Sequence, residues 1–244
     1  IDWKTGVFVT LPKKGDLKEC ANHRMISLIN HTSKILLYYK KDGNQVGRSV
    51  EQADFKTGRG TRDQTINLRL IIEKCKGYKV PLYMYFIDYS KEFDRMIHGS
   101  LWKTLKEMAS PNHVIELIRQ LYKNQNTAFK IAKGVRQGYV MSPHLFTIHA
   151  EAIMKEALGG FKDGAKIGSR RITNLRYTDD INLISSTQED LKDLLKRVQQ
   201  ASKRKGLQLN MKKTKIMDDN NKRFEIDGNK IEEVKSFNYL GSVI

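Results

Sequence analysis

The chain has 244 residues, with 44 Lys and Arg against 27 Asp and Glu and a formal net charge of +17. That length supports a substantial core, as one large domain or two lobes, and two cysteines (Cys20 and Cys75) are too few for a disulfide framework and read as reduced thiols. The excess of positive charge favours a polyanionic partner, and with no long apolar span or signal-peptide pattern that partner is a nucleic acid rather than a membrane.

In chain order, residues 7–11 and 26–29 read as a strand pair around the polar turn Lys13-Lys14-Gly15-Asp16. Residues 32–40 read as a short helix and 42–50 as a loop. Ile66, Leu68, Leu70, Ile71 and Ile72 predict a helix over 61–76, led by Asp63 as cap. The aromatic-rich run 81–88 predicts a strand closed by Asp88, and helices follow at 101–108, 114–122 and 143–157. A hairpin is expected over 176–185, with Asp179-Asp180 at its turn. Leu191, Leu194, Leu195 and Val198 mark an amphipathic helix over 189–203. Strand-like pieces at 215–217, 224–226 and 237–243 close the chain. Mixed strands and helices without βαβ repetition predict an α+β fold. Four unclustered prolines argue against a disordered linker, and there is no internal repeat.

The chemistry sits at two acidic strand ends. Adjacent carboxylates at a tight turn repel one another and invite a cation, and Mg²⁺ prefers oxygen ligands. Asp88 at the end of a buried strand, beside a hairpin turned by Asp179-Asp180, is the arrangement of a two-metal phosphoryl-transfer site, whose ions lie about 3.5–4 Å apart.

The segments Phe86-Ile87-Asp88-Tyr89-Ser90-Lys91-Glu92-Phe93-Asp94, Gly134-Val135-Arg136-Gln137-Gly138 with Ser142-Pro143, and Tyr177-Thr178-Asp179-Asp180 resemble motifs A, B and C of reverse transcriptases, above all those of non-LTR (LINE-type) retrotransposons. Further blocks follow in the same order. Leu11–Asp16 and Asn22–Leu28 resemble the fingers, Gly58–Gln64 the segment before the palm, Gly206–Asn210 with Lys213-Thr214-Lys215 motif D, and Phe237–Ser242 the primer grip.

The resemblance implies a right-hand polymerase: fingers-like residues 1–80 and a palm over 81–244 with an antiparallel sheet packed on helices, the thumb missing. Because the sequence starts at Ile1 and stops in a strand-like stretch, a domain truncated at both ends is expected. The resemblance makes Asp88, Asp179 and Asp180 the metal carboxylates, with the Tyr89 carbonyl as a further ligand. It makes Lys213 the motif D lysine that protonates or screens the leaving group, with Lys212 or Lys215 as substitutes. Lys13 and Arg24 would grip the triphosphate, Phe93 would be the steric gate, and Gln137 and Gly138 would lie against the nucleotide. Tyr239, Leu240 and Gly241 would form the primer grip.

The function implied is an RNA-directed DNA polymerase of retrotransposition, extending a primer 3′-hydroxyl with dNTPs. It would use two Mg²⁺ ions, or Mn²⁺, and partner an RNA template, a DNA primer and their RNA–DNA hybrid. No membrane association is expected, and the compartment would be intracellular, nucleus or cytoplasm. A second reading is a catalytically inactive, retrotransposon-derived remnant that still binds nucleic acid. It draws on departures from the family pattern. Thr178 stands where Ala is usual, and its hydroxyl needs a partner. Glu92 replaces Ala beside Phe93, Met25 replaces Pro, and Asp54 and Lys56 replace Gly and Arg. Residues 125–133 and 40–50 are shorter than their counterparts, as in a degenerate copy.

Overall fold

The computed structural model describes residues 7–13, 16–19, 22–28, 51–54, 58–90, 92–123, 133–135, 137–138, 141–218, 224–226 and 228–244. The helix expected at 32–40, the loop at 42–50, most of 125–133, and Cys20 lie outside them. The elements are α+β, as their order in the sequence predicts. They fall into two units, residues 1–47 with 91–149 and residues 48–90 with 150–244.

In the first unit, β1 (Val7–Pro12) pairs antiparallel with β2 (His23–Leu28), setting Val9 against Ile26 and Leu11 against Arg24. β2 starts three residues before the expected 26. The reason is that the Lys13 N–H donates to the Asn22 carbonyl (2.7 Å) and carries the ladder up to the turn. After α2 (Glu92–Arg95), the helices α3 (His98–Glu107) and α4 (Asn112–Lys123) pack together and bury Leu101, Leu105, Ile115 and Ile118. Pro111 opens α4, its carbonyl accepting from the N–H groups of Val114 and Ile115. The unit also holds the first half of α5 (Ser142–Ala157), with Pro143 in its first turn.

In the second unit, α1 (Thr61–Gly77) precedes β3 (Tyr83–Ile87). Asp63 lies in the first turn of α1 rather than at its cap. Its carboxylate accepts from the Gly60 N–H at 2.7 Å, satisfying a donor that the cap glycine has no side chain to serve. After α5 come β4 (Ala165–Ile167), β5 (Arg170–Ile172), β6 (Asn174–Tyr177), β7 (Asp180–Ser185) and α6 (Gln188–Arg204). Then follow β8 (Lys215–Met217), β9 (Phe224–Ile226), β10 (Asn229–Glu233), β11 (Asn238–Tyr239) and β12 (Ser242–Val243).

Six strands form one sheet in the order β6-β7-β3-β8-β10-β9. The sheet is antiparallel, as expected, except where β8 and β10 run parallel. The β9–β10 hairpin turns the chain back toward the sheet centre, so β10 arrives beside β8 in the same direction. The expected single strand over 237–243 is instead the small hairpin β11–β12. Leu240 and Gly241 turn it with φ of 50° and 81°, the left-handed pair a two-residue turn needs.

β3 is buried on both faces, which is why its sequence is almost continuously apolar. Met84 and Phe86 join Leu68, Ile71 and Cys75 of α1, with Ile184, Leu175 and Tyr239. Phe237 stacks on Phe86 at 4.2 Å between centroids. Tyr85 and Ile87 alternate to the other face, opposite Leu183 and Ile181 of β7. α6 packs on β3 and β7 with Leu191, Leu194, Leu195 and Val198 fully buried. Thr187 caps it by accepting from the Asp190 N–H. Among the described residues no helix is long and apolar enough to cross a membrane.

Candidate active site

The antiparallel register of β3 and β7 pairs Ile87 with Ile181. One step further Asp88 faces Asp180, and by strand alternation both side chains leave on the Phe86 side of the sheet. β6 and β7 are joined by the two-residue turn Thr178-Asp179, with Tyr177 paired to Asp180. Asp88, Asp179 and Asp180, more than ninety positions apart in the chain, therefore gather at one sheet end. Asp88 and Asp180 border a cleft of about 320 Å³ whose lining also includes Lys212, Lys213, Lys215 and Tyr239.

The turn rests on a buried support. Segment 51–54 runs beside β6 as a short parallel bridge, Gln52 to Arg176. Gln64 of α1 ties the two together, its side-chain amide donating to the carbonyls of Glu51 and Arg176, each at 2.8 Å. Arg176, 1% exposed, ion-pairs with Glu151 at 3.1 Å. Thr178 has φ 54°, a left-handed conformation that a β-branched residue rarely adopts. Its hydroxyl donates to the Asp54 carboxylate at 2.5 Å, the partner that hydroxyl required.

Burial pushes up the pKa of Asp180, to about 6, with the charges of Asp179 and Asp88 adding to it and Lys213 opposing. Asp179 is raised as well, by burial first, then by Asp88 and Asp54. Such a cluster lacks positive charge. Three carboxylates without histidine or cysteine are a hard oxygen donor set, and that chemistry fits a divalent ion such as Mg²⁺. As they stand they do not cage one: among the described residues no three His, Cys, Asp or Glu side chains are grouped closely enough to hold a metal.

The lysine paired with these carboxylates is Lys213, whose ammonium lies 2.6 Å from Asp88 Oδ2. Backbone pairing explains how it gets there. The Ser90 N–H donates to the Gln208 carbonyl and the Asn210 N–H to the Asp88 carbonyl, both at 2.8 Å, and the turn after Asn210 carries Lys213 back over the carboxylate. Lys215 is instead paired with Glu232. The Tyr89 side chain points inward, its hydroxyl bonded to Ser202 at 3.0 Å. Tyr239 is buried at the cleft wall, and Leu240 and Gly241 form the adjoining hairpin turn.

The remaining predicted residues belong to the first unit. The Phe93 ring packs on Phe146 at 5.5 Å. The Gln137 carbonyl accepts from the Ser27 N–H at 2.7 Å. Gly138 has φ 100°, and a Cβ there would stand 2.6 Å from the Ser27 carbonyl oxygen, so contact with β2 already demands glycine. Arg24 lies on β2 and Lys13 at the end of β1. The side chain of Glu92 lies outside the description. Asp54 and the Arg176–Glu151 pair are the site residues that the sequence did not assign. Asp54 stood out only as a departure from the usual glycine.

A family profile described as Reverse transcriptase (RNA-dependent DNA polymerase) matches residues 11–244. The chain belongs to the reverse transcriptase family. This reverse transcriptase domain is 26% identical over 219 residues to the Retrovirus-related Pol polyprotein from type-1 retrotransposable element R2 of Nasonia vitripennis, covering 82% of the chain and 21% of that protein. It is 25% identical to the type-2 element R2DM polyprotein of Drosophila melanogaster (84% and 20% covered), and 26% identical to the Transposon TX1 uncharacterized 149 kDa protein of Xenopus laevis (78% and 16%). These relatives match the LINE-type resemblance of the motifs. The domain spans about a fifth of their length. Apo telomerase of Candida tropicalis, truncated from its C-terminal domain, superposes with TM-score 0.65 at 17% identity, covering 99% of this chain and 55% of that one. The fold is that of a right-hand polymerase core.

Proposed function

We propose that this domain is the polymerase core of an RNA-directed DNA polymerase that extends a primer 3′-hydroxyl with dNTPs on an RNA template during retrotransposition. The observation that carries this reading is Asp88 facing Asp180 beside the Asp179 turn, in an open cleft rimmed by lysines. The net charge of +17 supports contact with the phosphate backbones of template, primer and hybrid.

Asp88, Asp179 and Asp180, with the Tyr89 carbonyl, would hold two Mg²⁺ ions. Bound there, the ions activate the primer hydroxyl and neutralise charge on the leaving pyrophosphate. Lys213 would turn from Asp88 to the pyrophosphate, giving it a proton or screening it. Lys13 and Arg24 would grip the triphosphate, Phe93 would exclude a 2′-hydroxyl, and Gln137 and Gly138 would line the nucleotide. Tyr239, Leu240 and Gly241 would hold the primer end. In this reading residues 1–80 act as fingers and 81–244 as palm.

The test is dTTP incorporation on poly(rA)/oligo(dT) with Mg²⁺ or Mn²⁺. Incorporation that Asp179→Asn abolishes, with hybrid binding retained, is expected. Incorporation that survives Asp179→Asn contradicts the proposal.

A further inference from the structure

We infer that Asp54 is a positioning residue for the acidic turn, fixing Thr178 in its left-handed conformation and so setting the Asp179-Asp180 turn at the edge of the cleft. The inference deepens the proposed function and rests on it for the role of the two turn carboxylates.

The geometry begins with the parallel bridge between Gln52 and Arg176. The Arg176 N–H donates to the Glu51 carbonyl and the Ala53 N–H to the Arg176 carbonyl, at 3.0 and 3.1 Å. Two residues further along both segments, this register brings Asp54 beside Thr178. Asp54 is 3% exposed, and its carboxylate accepts from the Thr178 hydroxyl at 2.5 Å and bonds the Tyr177 hydroxyl as well. It therefore grips both residues that lead into Asp179. A hydrogen bond to a charged acceptor is among the stronger ones, and it acts here on a β-branched residue at φ 54°, a conformation it does not favour.

Thr178 and Asp54 are two departures from the family pattern, where Ala and Gly are usual. The structure joins these two side chains. A methyl and a hydrogen have nothing to bond, whereas a hydroxyl set against a buried carboxylate forms a lock.

The experiment is Mn²⁺ titration of the 244-residue chain, followed by electron paramagnetic resonance, in Asp54→Ala, Asp54→Asn, Thr178→Ala and the double variant Asp54→Ala/Thr178→Ala. Supporting residues behind a metal site move affinity by about ten- to a hundredfold when lost, so Asp54→Ala should weaken Mn²⁺ binding by about tenfold. In the Thr178→Ala background the same change should cost clearly less, because the bond to the Thr178 hydroxyl is already gone. Asp54→Asn should recover most of the affinity, since the amide oxygen still accepts the hydroxyl. Thermal unfolding of each variant identifies the folded fraction, so a purely structural role shows as a lower Tm with unchanged affinity. Equal losses in both backgrounds, or unchanged affinity in folded Asp54→Ala, overturn the inference. A wild-type chain that binds no Mn²⁺ overturns the proposed function and this role with it.

Discussion

The Lys213 ammonium sits 2.6 Å from the Asp88 carboxylate, bridging motif D to motif A across the cleft. It supplies positive charge of the kind a divalent ion would bring, so on the proposed function the two would compete for Asp88. Lys213 is 67% exposed on its side chain, and such pairs are worth about 0.2–1 kcal/mol. Lys213→Ala should therefore tighten Mn²⁺ binding by at most about fivefold while slowing nucleotide incorporation. Weaker binding in the variant would mean that Lys213 organises the carboxylates instead of competing for them.

Asp180 carries a pH dependence of definite sign. Its folded pKa of about 6 stands above the ordinary carboxylate value near 3.9. The stability associated with its protonated form is complete below pH 4 and is lost as pH rises through 6. Asp180→Asn should raise Tm at pH 7.5 and change it little at pH 4. Surrounding protein crowds the Asp180 carboxylate, but the residue as a whole stays open to solvent, so screening holds the gain to about 1 kcal/mol or less. A Tm gain at pH 4 equal to that at pH 7.5 would show that charge is not the cause.

Arg176 of β6 and Glu151 of α5 form a buried ion pair, 1% and 7% exposed. Removing one partner strips the other of its close counter-charge in a buried place, so Glu151→Ala should cost about 3–5 kcal/mol in urea unfolding. The joint change Arg176→Met/Glu151→Leu should be less damaging than Glu151→Ala, because no buried charge is left over.

Gly138 separates close approach from backbone preference. Gly138→Ala meets the Ser27 carbonyl at 2.6 Å, whereas Gly228, at φ 74°, has open space around its missing Cβ. Gly228→Ala should cost about 1–2 kcal/mol for its left-handed backbone alone. Gly138→Ala should cost clearly more, read as a larger fall in Tm.

The sequence displayed the centre of the palm better than its edges. The β3 run, the Asp-Asp turn and the α6 leucines were legible because each carries a strong periodicity over several residues. β4–β5 was not: its three-residue strands put Lys166, Arg170 and Arg171 on the outside and offer little apolar pattern. β10 was hidden likewise, its one buried large apolar side chain being Ile231. The 237–243 stretch looked like a single strand, although Gly241 was the signal of the turn inside it. Asp54 was singled out, but its partner could not be, because the contact depends on a pairing between residues 52 and 176 that no local pattern announces.

The central claim is that Asp88 and the Asp179-Asp180 turn act on the same ions, and Mn²⁺ titration of Asp88→Asn beside Asp179→Asn tests it most directly. Each single change should weaken binding by about tenfold or more, and the joint variant should lose little beyond the worse single, because the ligands share one site. Undiminished Mn²⁺ affinity in folded Asp88→Asn, with loss only in Asp179→Asn, would contradict the account.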